Sequence, residues 1–250
     1  MTLGLRRLLT IALVAALGMP LSAQSPQQTD QAILDELRQI RQLLERLTTP
    51  RVAPAPPQVN EHVTLSLKTG HMLGSPDAPL TIVEFTDLQC PFCRRFHATT
   101  FEQLRTDYID TKKLRYFSRD FPIVELHPLS ATAARASRCA GDQGKFWEMR
   151  HAILSADALT GESFLEQADV LKLDTAKFGG CVADAARFQS EIGDDMRDGA
   201  RVGVTGTPSF VLGRTTGDTL DGVLVLGAQP YEAFDAQLKA LLSSATSPEP

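Results

Sequence analysis

Apolar residues recur along this chain with two periods, and the change from one to the other marks its elements. VTLSL (63–67) alternates apolar and polar, as a half-buried strand does. LTIVEF (80–85) is a continuous apolar run broken only by Glu84, which predicts a buried central strand. Phe96, Thr100, Leu104 and Tyr108 then step by four, a helical spacing, and KLRYFS (113–118) predicts a third strand. Residues 128–202 show helical stretches punctuated by Gly141, Gly144, Gly161 and the pair Gly179-Gly180, with no strand among them. Strand character returns at SFVLG (209–213) and GVLVLG (222–227), and the short turn between them predicts antiparallel pairing. YEAFDAQLKALL closes the chain as a helix. The order is a mixed α/β pattern with a helical insertion.

The N-terminal part reads differently. Arg6 and Arg7 precede LLTIALVAALG, a run short for a bilayer, and Leu21-Ser22-Ala23 offers a small residue for cleavage. Residues 1–23 are therefore expected to be a signal peptide, which places the protein in a periplasm or otherwise outside the cell, where paired cysteines stay oxidised. Residues 24–58 follow as an N-terminal helix and a linker with four prolines between 50 and 57. Ile33, Leu37, Ile40, Leu44 and Leu47 have the a/d spacing of a coiled coil, so residues 30–47 are a candidate for homo-oligomer contact; an arm packed on its own domain is the other reading. Residues 59–250 form the globular domain, with the insertion at about 128–202.

Composition narrows the function classes. The 250 residues carry a formal charge of −5 and no Lys/Arg-rich block, which argues against a nucleic-acid partner. Removing Arg6 and Arg7 with the signal takes the basic count from 25 to 23 against 30 acidic residues, a net −7.

Two of the four cysteines stand in TDLQCPFCRRFH (86–97). A strand ends near Thr86 and a helix begins at the cysteines, with Cys90 at the N-cap and Pro91 at the first helical position, where its missing N–H is harmless. The helix start presents unpaired N–H groups and positive partial charge to the Cys90 sulfur, which stabilises a thiolate. Cys93, one turn along, is placed to attack a mixed disulfide formed at Cys90. Structural zinc, a copper-thiolate clamp and a purely structural disulfide compete with this redox dithiol. Zinc needs a second ligand pair, yet Cys139 and Cys181 are isolated and the histidines scattered. No metal and no cofactor are expected.

Glu84 sits six residues before Cys90 in a strand that reads as buried. A buried carboxylate must be neutral or hydrogen-bonded, so its pKa is expected to rise, and it could take and return the proton of Cys93. The alternative leaves Glu84 at a solvated strand edge. Phe146, Trp147 and Met149 read as core packing, and His97, one turn past Cys93, is expected to face solvent. His127 is expected in a loop entering a helix. Pro208 precedes the penultimate strand, but an X–Pro bond alone predicts no cis peptide.

IVEF before CPFC, then RDFP, CAGDQGKFWEMRHAIL and VGVTGTPSF together resemble the DsbA-like thiol-disulfide oxidoreductases of the thioredoxin superfamily, over roughly 60–243. The resemblance implies a thioredoxin fold with a helical insertion, Cys90 as nucleophile and Cys93 as resolving thiol. It also implies a cis Thr207-Pro208 peptide facing the dithiol, with Thr207 pairing a substrate strand and Pro91 and Phe92 beside it. Unfolded protein substrates and a membrane redox partner for recycling follow from the same likeness. Phe92 stands where the strong oxidants of the family carry histidine, and Thr before the proline resembles the isomerase and reductase branches. Oxidase is the favoured direction; an oligomeric isomerase or reductase is the first alternative, and a non-catalytic copper-binding or chaperone module the second. Cys139 and Cys181 are expected to be bridged, stapling the helical block by about 3–4 kcal/mol; two separate buried thiols are the rival reading.

Overall fold

The computed structural model describes residue 31, residues 33–42 and residues 62–244. The expected signal peptide, the proline-rich linker, and Leu44 and Leu47 of the heptad run lie outside the described residues. The chain divides into two units, Met1–Pro54 and Ala55–Pro250. In the first, the described residues between 31 and 42 are helical, and Ile33, Leu37 and Ile40 are each about half exposed.

The second unit is built on a six-stranded sheet of order β1-β6-β5-β3-β4-β2. The strands are β1 (His62–Ser66), β2 (His71–Leu73), β3 (Leu80–Thr86), β4 (Leu114–Asp120), β5 (Ser209–Thr216) and β6 (Thr219–Leu226). Among the described residues only β3 and β4 pair in parallel, with Leu80 opposite Leu114 and Thr86 opposite Asp120. A parallel pair needs a long crossover, and helix α1 supplies it. It starts at Pro91–Phe96 and continues through a π-turn (His97–Phe101), an α-turn (Glu102–Leu104) and a second π-turn (Arg105–Ile109). β5 and β6 pair antiparallel. They outrun the apolar segments 209–213 and 222–227, because polar residues such as Arg214 and Asp221 continue the ladder at the hairpin end.

β2 has no counterpart in the sequence reading. Three residues between Gly70 (φ 94°) and Gly74 (φ 95°) are too short to show a period, and β2 adds only an edge to β4.

Alternation along β3 divides its side chains between two cores. Leu80 and Ile82 join Phe96, Phe101, Leu104 and Tyr108 of α1, together with Phe234 and Leu238 of α7 (Tyr231–Ser244). Val83 and Phe85 face the other way, onto Phe117, Val202, Val204 and Val211. Each fully buried aliphatic or Phe side chain contributes roughly 1.5–3 kcal/mol to this packing.

The insertion comprises α2 (Ser130–Gly141), α3 (Phe146–Ser155), α4 (Gly161–Val170), α5 (Thr175–Ala183) and α6 (Gln189–Arg201). Small residues on α2, Ala133, Ala136 and Ala140, leave room for Met149, Ile153, Phe164 and Phe178 to interdigitate. Cys139 and Cys181 are disulfide-bonded and join α2 to α5, with Cα atoms 5.9 Å apart. Phe146 and Met149 are buried, and Trp147 is partly buried with its indole N–H donating to the Met72 carbonyl at 3.0 Å.

Candidate functional site

The loop that ends β3 sets the cysteines in place. Asp87 is buried, and its carboxylate accepts from the Gln89 N–H (2.9 Å), the Ile123 N–H (2.8 Å) and the His127 ring (2.8 Å). Gln89 in turn accepts from the Leu129 N–H at 2.8 Å. The start of α1 is thereby tied to the 121–129 loop that enters the insertion. Cys90 is the N-cap, extended in backbone (φ −64°, ψ 126°), with Pro91 following at the helix start. The Cys90 carbonyl accepts from the Arg94 N–H at 3.0 Å, closing the first turn.

Cys90 and Cys93 are both free thiols, and both belong to the apolar cluster of the insertion. Their acidities diverge. The Cys93 thiol donates to the Cys90 sulfur, and this bond, with the Cys93 and Phe92 N–H groups, pulls the Cys90 thiol from 9.0 to about 5 against the effect of burial. Cys93 moves the opposite way. Burial raises it first, then its own donated hydrogen bond and the nearby charges of Glu84 and Cys90. One thiol of the pair is made an anion and the other is held protonated.

β3 alternation explains what lies behind Cys93. Glu84 and Thr86 share the parity of Leu80 and Ile82 and so face α1. Glu84 is fully buried, which removes the solvated-edge reading. Its Oε2 accepts from the Tyr116 hydroxyl at 2.8 Å and is ion-paired with Arg150, itself 1% exposed. Arg150 also donates to Ser118 Oγ at 3.1 Å and lies 3.5 Å from His97 Nδ1. The buried carboxylate inferred from sequence is thus hydrogen-bonded and one half of an ion pair. Arg150 was missed, although a signal existed: Phe146, Met149, Arg150 and Ile153 follow the i, i+3, i+4, i+7 stripe of α3, and a cation on a core stripe calls for a buried anion.

His97 corrects an expectation. It is 3% exposed rather than solvent-facing, because the chain leaves α geometry at His97 and the ring turns inward against Phe101 and Arg150. Burial, then the charge of Arg150, lowers its pKa to about 3, so the ring is neutral. Its Nε2 meets His151 Nδ1 at 2.9 Å. His127 lies in the loop before α2, held by Asp87.

From the far end of the chain, the Thr207-Pro208 peptide is cis, and the Thr207 carbonyl oxygen lies 3.5 Å from the Cys90 sulfur. The Pro208 carbonyl accepts from the Gly227 N–H at 2.9 Å, which anchors this loop to the end of β6. Residues more than a hundred positions apart therefore meet at one sulfur. Pro91 and Phe92 are exposed beside it, and the Arg95 guanidinium stacks 5.2 Å from the Phe92 ring centre. Val124 and Leu126, on the loop tied to Asp87, are exposed as well.

A family model described as thioredoxin matches residues 66–240. Among solved structures, the chain is similar to α-DsbA1 of Wolbachia pipientis, with a TM-score of 0.63 and 24% identity over 72% of this chain and 94% of that one. That likeness is one of fold. A thioredoxin-like oxidoreductase from Silicibacter pomeroyi is 28% identical, with a TM-score of 0.56, over 70% of this chain and 91% of that one. A curated relative, Na(+)/H(+) antiporter NhaA 1 of Salinispora arenicola, is 38% identical over 142 residues, 56% of this chain. The matched stretch is only 21% of that protein, so the chain spans about a fifth of the curated relative. Among the described residues no helix is long and apolar enough to cross a membrane.

Proposed function

This chain belongs to the thioredoxin family, and from that premise we propose that it is an exported, DsbA-like enzyme that oxidises protein thiols through Cys90 and Cys93. The observation that carries the proposal is the geometry at Cys90: a free thiol at the N-cap of α1, with Cys93 one turn along and the carbonyl of the cis Thr207-Pro208 peptide 3.5 Å from its sulfur. In the oxidised enzyme a substrate thiolate attacks the Cys90 sulfur; the Cys90–Cys93 bond breaks and Cys93 leaves as a thiolate that takes up a proton. A second substrate thiolate then attacks the substrate sulfur of the mixed disulfide, and Cys90 departs as a thiolate. The substrate loses two electrons and the dithiol gains them. A leaving group with a pKa near 5 makes the second step fast and favours the reduced enzyme, which is the oxidising bias.

Glu84 is the residue for the proton of Cys93, with Arg150 and Tyr116 holding its carboxylate in place. Thr207 and Pro208 offer the backbone edge for an extended substrate, and Phe92, Val124 and Leu126 form an apolar rim suited to an unfolded client. A membrane redox partner would reoxidise the dithiol. The expected signal peptide supports a periplasmic setting.

The test is oxidative refolding of a reduced, disulfide-dependent protein by stoichiometric oxidised enzyme. The proposal expects disulfides to form in the client as the enzyme is reduced. If the client gains none while the reduced enzyme readily cleaves insulin disulfides, the direction is reductive. An isomerase reading has its own support in the half-exposed Ile33, Leu37 and Ile40, which could pair two copies. Equal numbers of chains per particle for the full chain and one beginning at Val59 would remove it.

A further inference from the structure

A second cluster of chemically capable side chains lies on the other side of Arg150 from Glu84. We propose that His97, Glu102 and His151 form a binding site for a divalent cation of the zinc class, opening into the groove between α1, α3 and α4. The ligand atoms of the three residues lie within 4.8 Å of one another. They use nitrogen and oxygen donors only, so the site is chemically distinct from the dithiol.

The backbone explains how this set assembles. His97 and Glu102 are five residues apart on α1, a separation that an α-helix turns to different sides. The π-turn at His97–Phe101 widens the helix so that residues five apart come to one side. His151 arrives from α3, and its Nδ1 approaches His97 Nε2 to 2.9 Å. Tetrahedral zinc with bonds of 2.0–2.1 Å needs ring nitrogens about 3.3 Å apart, a widening of a few tenths of an ångström. His151 is exposed and free to make that movement. Two imidazoles and a carboxylate leave one position open, and it would face a groove of about 840 Å³ whose walls include Phe101, Trp147 and Leu171.

The surrounding charges leave room for a cation. Arg150 is paired with Glu84, Arg105 lies 3.9 Å from Asp110, and Lys145 lies 2.8 Å from Glu148. Among the described residues Glu102 has no ion-pair partner, so its charge is available to the site. Two cations oppose binding, Arg105 on the groove wall and Arg150 beside His97. Ligation through His97 Nε2 moves the ring proton to Nδ1, where it faces the Arg150 guanidinium at 3.5 Å. The site therefore holds an exchangeable ion, not a permanent structural one.

Cobalt(II) is the probe, titrated into the full chain without a histidine tag and carrying Cys90→Ser and Cys93→Ser, so that no thiolate competes. One equivalent should give the visible d–d bands of tetrahedral cobalt, without a sulfur charge-transfer band, and zinc(II) should displace it. His151→Asn and Glu102→Gln, both at exposed positions, should each weaken binding roughly tenfold or more. Absence of d–d intensity at one equivalent, or a spectrum that survives either substitution unchanged, overturns the proposal.

Discussion

Cys90 and Cys93 are separated by two residues and free, whereas Cys139 and Cys181 are 42 positions apart and joined. All four touch the same apolar cluster of the insertion, so burial does not set them apart. The difference is what else reaches each sulfur. Cys90 stands at a helix start, where backbone N–H groups and the Cys93 thiol converge on it. Cys139 lies in the last turn of α2 among alanines, where those donors are already used within the helix. Reactivity in this molecule is a property of the local field of donors, and cysteine itself is compatible with either role.

The comparison predicts a clean separation of effects. Cys90→Ser should abolish disulfide exchange while leaving the thermal midpoint close to that of the reduced protein below about pH 5, where the Cys90 thiolate contributes no stability. The double variant Cys139→Ser/Cys181→Ser should do the reverse: exchange persists at low temperature, and unfolding in urea shows a loss of about 4 kcal/mol from opening a loop of that length. If the double variant loses exchange while still folded, the division between the pairs is wrong.

Next in size is the ion pair beneath Cys93. Arg150→Met leaves the Glu84 carboxylate buried without its cation and should destabilise the protein by about 3–5 kcal/mol in denaturant titration. Arg150→Lys should recover much of that loss. Glu84→Gln keeps the shape but removes the acceptor for the Cys93 proton, and should slow the attack of Cys93 on a mixed disulfide at Cys90 by on the order of 10²-fold near neutral pH. A Glu84→Gln enzyme with unchanged single-turnover kinetics would assign Glu84 to packing alone.

The dithiol also makes stability depend on pH in one redox state. The Cys90 thiol titrates near 5 when folded against 9.0 as its ordinary value, so the unfolded chain binds the extra proton between those limits. Its stabilisation of the reduced form is complete above pH 9.0, shrinks as pH falls and is lost below about 5. The midpoint of the reduced protein relative to the oxidised one should therefore rise with pH across this window, and Cys90→Ser, which has no Cys90 thiol to ionise, should lack that rise.

Much of the fold was legible because the strands and helices have clear periods: β3, β4, the β5–β6 hairpin and the inserted helices all follow from apolar spacing. β2 was not, because three edge residues carry no period. At the site, the helix-start position of Cys90 followed from Pro91 and the preceding strand, and the burial of Glu84 from its neighbours in LTIVEF. The partner of Glu84 did not follow, since Arg150 lies 66 positions away on an inserted helix and only the sheet and helix packing bring them together. His97 was placed on the wrong side because its orientation depends on a π-turn, which HATTF does not signal by composition.

The smallest expected effect concerns Phe92. Backbone donors and the Cys93 thiol stabilise the Cys90 anion in this chain, so a side-chain donor adds to an existing set. Phe92→His should lower the Cys90 pKa by less than about one unit and raise the dithiol potential by less than about 30 mV. A larger shift would mean that the backbone field is weaker than the geometry indicates.

The most direct test of the account is the ionisation of Cys90 in the reduced protein, followed by thiolate ultraviolet absorbance and by alkylation rate across pH. A single midpoint near 5 is expected, with Cys93 remaining protonated through neutrality. A midpoint in the ordinary cysteine range, about 8.5, or two thiolates appearing together, contradicts it.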